Sequence, residues 1–134
     1  MKFISTRTHG YMDYVIGALL IISPWLFGFS LGGAETWIPV AIGVMVLVMT
    51  MFTDHEVSVS RQLSMTAHLS IDVISGIFLA LSPWIFGFNN LVYLPHLLVG
   101  IFMVGSGFFT YLVPENCPQG APCYKDSRHR TTAL

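Results

Sequence analysis

Charged residues are placed along this chain so that long apolar intervals lie between them. No Asp, Glu, Lys or Arg falls between Asp13 and Glu35, between Glu35 and Asp54, or between Asp72 and Glu115. A helix needs about 20 apolar residues to cross a hydrocarbon core about 30 Å thick. The first two intervals each hold one such span. The third is twice as long and is interrupted at Phe86-Gly87-Phe88-Asn89-Asn90 and again at Pro95, so it holds two. The runs are continuously apolar rather than alternating, which favours helices over strands. The expected fold is an all-α membrane protein with four transmembrane helices at about 11–29, 36–53, 69–88 and 91–113.

The first and third spans are copies. Residues 9–29 and 68–88 align without a gap at an offset of 59, with 10 of 21 positions identical, and the shared positions read H-x3-D-x3-G-x5-SPW-x-FGF. The chain therefore divides into a polar lead (1–8), a first two-helix repeat (9–53), a loop (54–67), a second repeat (68–113) and a tail (114–134). With two helices per repeat, the second copy enters the membrane in the same sense as the first. This predicts parallel repeats related by a pseudo-two-fold axis along the membrane normal. Pro24 and Pro83 are expected to kink or end their helices. Thr36 is expected to cap the second helix, with Pro39 in its first turn. Tyr93-Leu94-Pro95 echoes Trp37-Ile38-Pro39 at an offset of 56, which makes the second outer loop three residues shorter.

At 3.6 residues per turn, His9, Asp13, Gly17, Leu20, Ser23 and Pro24 fall within a stripe of about 120° on the first helix. All six recur in the third. The opposite face (Val15, Ala18, Leu19, Ile22) differs at every position but stays apolar. Lipid asks only for apolarity, whereas a protein neighbour asks for particular shapes, so the shared stripe should face protein. Gly17 and Gly76 suit close helix crossings, and Gly100, Gly105, Ser106 and Gly107 offer a small-residue surface on the fourth helix.

Composition sharpens this picture. The chain is 54% hydrophobic and 10% charged, with a mean hydropathy of +0.68, far from the roughly 25% charged residues of a soluble domain. All six basic residues (Lys2, Arg7, Arg61, Lys125, Arg128, Arg130) fall on one side of the expected spans. The positive-inside rule makes that side cytoplasmic and puts both termini there, in a multi-pass membrane protein. The first span is not read as a signal peptide, because it carries Asp13 and SPW where a cleavage site would be and recurs at His68. The net charge of −1 gives no basis for binding nucleic acid.

Candidate chemistry is sparse. His9 with Asp13, and His68 with Asp72, are spaced i, i+4, so each pair meets on one helix face. Carboxylates inside a membrane segment point to a bundle interior or a functional site. Three readings follow: a structural hydrogen-bonded pair, a divalent-metal or proton site built from all four residues, and axial histidine ligation of haem b. The first is preferred, with no cofactor expected. Trp25 and Trp84, within Ser23-Pro24-Trp25 and Ser82-Pro83-Trp84, read as interfacial anchors. His96 reads as a satisfied polar group, and Asp54-His55-Glu56 as a solvated loop. Cys117 and Cys123 with His129 fall short of a four-ligand zinc site. No nucleophile or phosphate-binding motif is present.

The doubled SPW tripeptide, with His, Asp and Gly at fixed offsets before it, resembles the SPW repeat family of small bacterial membrane proteins over about residues 9–113. The resemblance implies a four-helix integral membrane protein and carries over no catalytic residues; the tail after Pro114 lies outside it. The expected role is a structural or accessory subunit, not an enzyme, in contact with lipid and either self-associating or docked to a larger membrane complex. A small proton or metal conduit through the His–Asp pairs is the alternative.

Overall fold

The structure, a computed structural model, describes residues 2–54, 57–60 and 62–112. His55, Glu56, Arg61 and the tail with Cys117, Cys123 and His129 lie outside the described residues. The described residues form four helices, α1 (Thr6–Leu26), α2 (Ala34–Phe52), α3 (Met65–Ile85) and α4 (Leu94–Phe109), and no named strand. α2 and α3 are long and apolar enough to cross a membrane. α4, at 16 residues, is shorter, and α1 opens on the polar turn Thr6-Arg7-Thr8-His9.

α1 and α3 start a turn or more before the expected spans because each has a serine cap. Ser5 Oγ accepts from the Thr8 N–H at 3.1 Å, and Ser64 Oγ from the Ala67 N–H at 3.3 Å. Their far ends explain the repeated motif residue by residue. A proline at position 24 leaves the Leu20 carbonyl without its helical N–H partner. Ser23 Oγ donates to that carbonyl at 3.0 Å, and Ser82 Oγ does the same for the Leu79 carbonyl orphaned by Pro83, at 2.8 Å. The helix therefore runs past each proline to Leu26 and Ile85 instead of stopping there.

Phe27-Gly28-Phe29 then closes the end. Gly28 takes φ 72°, as does Gly87, and the Phe29 N–H donates to the Pro24 carbonyl at 2.8 Å while the Phe88 N–H donates to the Pro83 carbonyl at 2.9 Å. This is a Schellman closure, whose left-handed residue favours glycine. It folds Phe29 and Phe88 inward, where both are buried, and leaves Trp25 and Trp84 on the outer surface.

α2 corrects two expectations. Its cap is Gly33, not Thr36, and Pro39 lies inside the helix rather than in its first turn. The Glu35 carbonyl, which Pro39 cannot serve, instead accepts from His96 Nε2–H at 3.2 Å. His96 is thus the polar partner of a proline defect in another helix. It is held between the rings of Phe29 and Phe88, with centroids 5.4 and 5.1 Å away.

α1 packs mainly on α2 and α3 mainly on α4, with lesser contacts α2–α3 and α1–α4. Each close pair crosses at two glycines. A Cβ on Gly43 would sit 2.7 Å from the Gly17 carbonyl oxygen, and one on Gly100 would sit 2.5 Å from that of Gly76. The counterpart of Gly43 is therefore Gly100, an offset of 57, not the 56 suggested by the prolines. Gly105 is also corrected. A Cβ there would meet nothing, whereas one on Gly107 would meet Val73 at 2.7 Å. Gly107 is seven residues from Gly100 and shares its face, while Gly105 is turned well away.

Among the described residues, Leu20, Ile42, Val46, Leu79 and Met103 form one buried apolar cluster. The six shared positions of α1 and their six counterparts in α3 are all buried. Val15, Ala18 and Ile22 are exposed, and Leu19 is half-buried. The segment ahead of α1 caps α4, with the Phe3 and Ile4 N–H groups donating to the Phe109 carbonyl at 2.9 and 3.1 Å. The segment ahead of α3 caps α2 in the same way, the Gln62 and Leu63 N–H groups donating to the Phe52 carbonyl, both at 2.9 Å.

Candidate functional site: a buried histidine–aspartate tetrad

The i, i+4 spacing brings His9 over Asp13 and His68 over Asp72, and the packing then joins the two pairs. His9 Nε2 lies 3.2 Å from Asp13 Oδ2 and 3.1 Å from Asp72 Oδ2. His68 Nε2 lies 3.0 Å from each of the same two oxygens. Four polar atoms thus alternate N, O, N, O around one centre, and no two of them are more than 4.8 Å apart. The two imidazoles stand edge to face with centroids 5.5 Å apart. Exposure of the four residues runs from 0% to 7%.

Two threonines that the sequence reading missed hold the outer nitrogens. Thr110 Oγ1 is 3.0 Å from His9 Nδ1, and Thr53 Oγ1 is 2.8 Å from His68 Nδ1. Each threonine ends the helix of the other repeat, so the support is exchanged: α4 serves α1, and α2 serves α3. The hydrogens can be counted. Thr110 Oγ1 lies 2.6 Å from the Ser106 carbonyl and Thr53 Oγ1 lies 2.7 Å from the Met49 carbonyl. A carbonyl has no hydrogen to give, so each hydroxyl donates there and accepts from Nδ1–H.

With Nδ1 carrying a hydrogen, each Nε2···Oδ2 set needs one more, placed either on nitrogen or on a carboxyl. Two imidazoles and two carboxyls then share two hydrogens. The tetrad sums to zero charge whichever atom holds them. A neutral sum is what burial demands, since an uncompensated charge in a low-dielectric interior costs several kcal/mol.

The two halves differ in one respect. Thr50, whose hydroxyl donates to the Val46 carbonyl at 2.8 Å, stands 3.5 Å from Asp13 Oδ2. Its counterpart at offset 57 is Gly107, and Asp72 Oδ1 is buried with no hydrogen-bond partner among the described residues.

The carboxylate oxygens fill the space between the imidazoles, so His9 and His68 do not present opposed ligands to a porphyrin plane. The other expected residues lie elsewhere. Trp25 and Trp84 are about half exposed at the far ends of α1 and α3. His96 borders a separate apolar cavity of about 260 Å³ among Leu20, Ser23, Phe29, Pro39 and Val99. Its Nδ1 has no partner among the described residues. An alignment of α2 on α4 at offset 57, which sets Phe52-Thr53 on Phe109-Thr110, is the signal that finds the two threonines.

Residues 7–110 match the family model described as the SPW repeat domain. No curated protein and no solved structure matches the chain.

Proposed function

The chain belongs to the SPW repeat family, and from this we propose that it is a four-span protein of the bacterial inner membrane serving as a structural or accessory subunit. Its two repeats run parallel about a pseudo-two-fold axis along the membrane normal. The starts of α1 and α3 and the ends of α2 and α4 meet at one end of the bundle, as the capping of α4 by residues 3–4 and of α2 by residues 62–63 requires. Lys2 and Arg7 belong to that end, which makes it the cytoplasmic one.

The observation that carries the reading is where the polar groups go. His9, Asp13, His68, Asp72, Thr53 and Thr110 are turned inward and bonded to one another. The outward surface carries Val15, Ile22, Trp25, Ile74, Trp84, Ile101 and Phe108. A tetrad bonded in this way joins the repeats, which fits a role in assembly rather than catalysis. Partners are then lipid and either further copies or a larger membrane complex.

Light scattering and native mass spectrometry of the protein in mild detergent test this. The expected mass exceeds one 14.9 kDa chain, or a second protein stays bound through purification. A strictly single chain, alone at every concentration, overturns the assembly role.

A further inference from the structure

We infer that the tetrad is a divalent transition-metal site, with Zn²⁺ the best-matched ion, that clamps the two repeats together. The donor set is two imidazole nitrogens and two carboxylate oxygens, one of each from each repeat. Imidazole suits zinc and its neighbours, and a four-ligand protein shell is the closed arrangement of a structural zinc site.

The distances fit. Zinc bonds of 2.0–2.1 Å arranged tetrahedrally set ligand atoms roughly 3.3–3.4 Å apart. The four Nε2–Oδ2 separations are already 3.0–3.2 Å. The ring expands by a few tenths of an ångström while its diagonals, at most 4.8 Å, draw in.

Orientation is also prepared. A metal-binding histidine needs its second nitrogen held as N–H by an outer partner, which fixes the tautomer and aims the lone pair at the ion. Thr110 and Thr53 do this for His9 and His68, because their own hydroxyl hydrogens are committed to the Ser106 and Met49 carbonyls. Asp72 Oδ1, buried and without a partner among the described residues, is a further oxygen beside the centre.

The exchange balances. Without metal, the tetrad holds two hydrogens between Nε2 and Oδ2 and is neutral. Entry of M²⁺ forms four metal–ligand bonds, breaks two N–H or O–H bonds and sends two protons to water. The buried site is neutral before and after, and no electron moves. A monovalent ion leaves the same donors one positive charge short, and a trivalent ion leaves one in excess, so the charge count selects a divalent ion.

The test uses the full-length protein in detergent, stripped with chelator and titrated with Zn²⁺ in weak buffer. Metal content, proton release and melting temperature are followed together. The expected result is one Zn²⁺ per chain, about two protons released per ion, and a raised melting temperature. The same binding is expected in a control with Cys117→Ser, Cys123→Ser, His55→Ala and His129→Ala, which removes both cysteines and two of the three histidines outside the tetrad. Asp72→Asn should lose the site. Thr110→Val keeps all four ligands and should weaken binding by roughly 10–100-fold, the usual effect of removing an outer partner, so it still reports if Asp72→Asn does not fold. Folded wild type that takes up no zinc at one per chain overturns the site. So does binding that disappears in the control, or that is unchanged in both Asp72→Asn and Thr110→Val. The size of the assembly is a separate measurement, so the site and the assembly role fail independently.

Discussion

Thr53 and Thr110 each commit one hydroxyl hydrogen to a helix carbonyl, and the tautomers of His68 and His9 follow from it. Replacing Thr110 by Val removes the acceptor for His9 Nδ1–H and leaves a buried donor unmatched. The expected loss is about 1–3 kcal/mol, read as a lower melting temperature, and Thr110→Ser should restore it. Asp13→Asn retains a hydrogen-bonding side chain between the imidazoles and should melt closer to wild type than Asp13→Leu. The leucine leaves His9 Nε2 and His68 Nε2 to share Asp72 alone, and breaking a buried pair costs about 3–5 kcal/mol. Equal melting of the Asn and Leu variants would show that Asp13 is not bonded in the interior. The histidines and aspartates were legible in the sequence because the repeat prints them twice at one offset. The threonines were not, since they stand in helices that have drifted further apart and act on the opposite repeat.

Proline in these helices is tolerated because a neighbouring side chain answers each carbonyl it orphans. Ser82 and Pro83 should therefore couple in a double-mutant cycle. Ser82→Ala alone exposes the loss of a hydrogen bond at the Leu79 carbonyl, about 1 kcal/mol. In a Pro83→Ala background the backbone N–H returns, and the serine should matter little. Additive losses would mean that the serine does something other than repair. The helix crossings offer a second contrast. Gly100→Ala drives a Cβ to within 2.5 Å of a backbone oxygen and should destabilise by about 1–3 kcal/mol as overpacking. Gly105→Ala meets open space and, with alanine about 1 kcal/mol the better helix former, should be neutral or stabilising. A kink or stop could be read from Pro24, but the helix continues because Ser23 is there, and the tripeptide works as a unit. The misplaced Gly105 shows what composition alone misses: four small residues were visible on α4, and their angular positions relative to Gly100 tell Gly107, which faces α3, from Gly105, which does not.

Orientation of the whole molecule rests on charge, and the structure sharpens how to measure it. Glu35 is only 5% exposed, because its carboxylate accepts from the Gly33 N–H at 2.8 Å and the Thr36 hydroxyl at 3.0 Å. A cysteine there would report burial, not sidedness. Leu31 and Leu91 are 68% and 65% exposed in the two loops at one end, and Val59 is 74% exposed in the loop at the other. In a background of Cys117→Ser and Cys123→Ser, Leu31→Cys and Leu91→Cys should react with a membrane-impermeant thiol reagent in intact cells. Val59→Cys should react only after lysis. Reaction at 59 in intact cells with protection at 31 and 91 would invert the topology, and reaction at one of 31 and 91 without the other would break the parallel arrangement of the repeats. The two outer loops must answer together, because His9 and His68 meet the same two carboxylate oxygens. Their helices cannot start from opposite faces of a membrane and still share one tetrad.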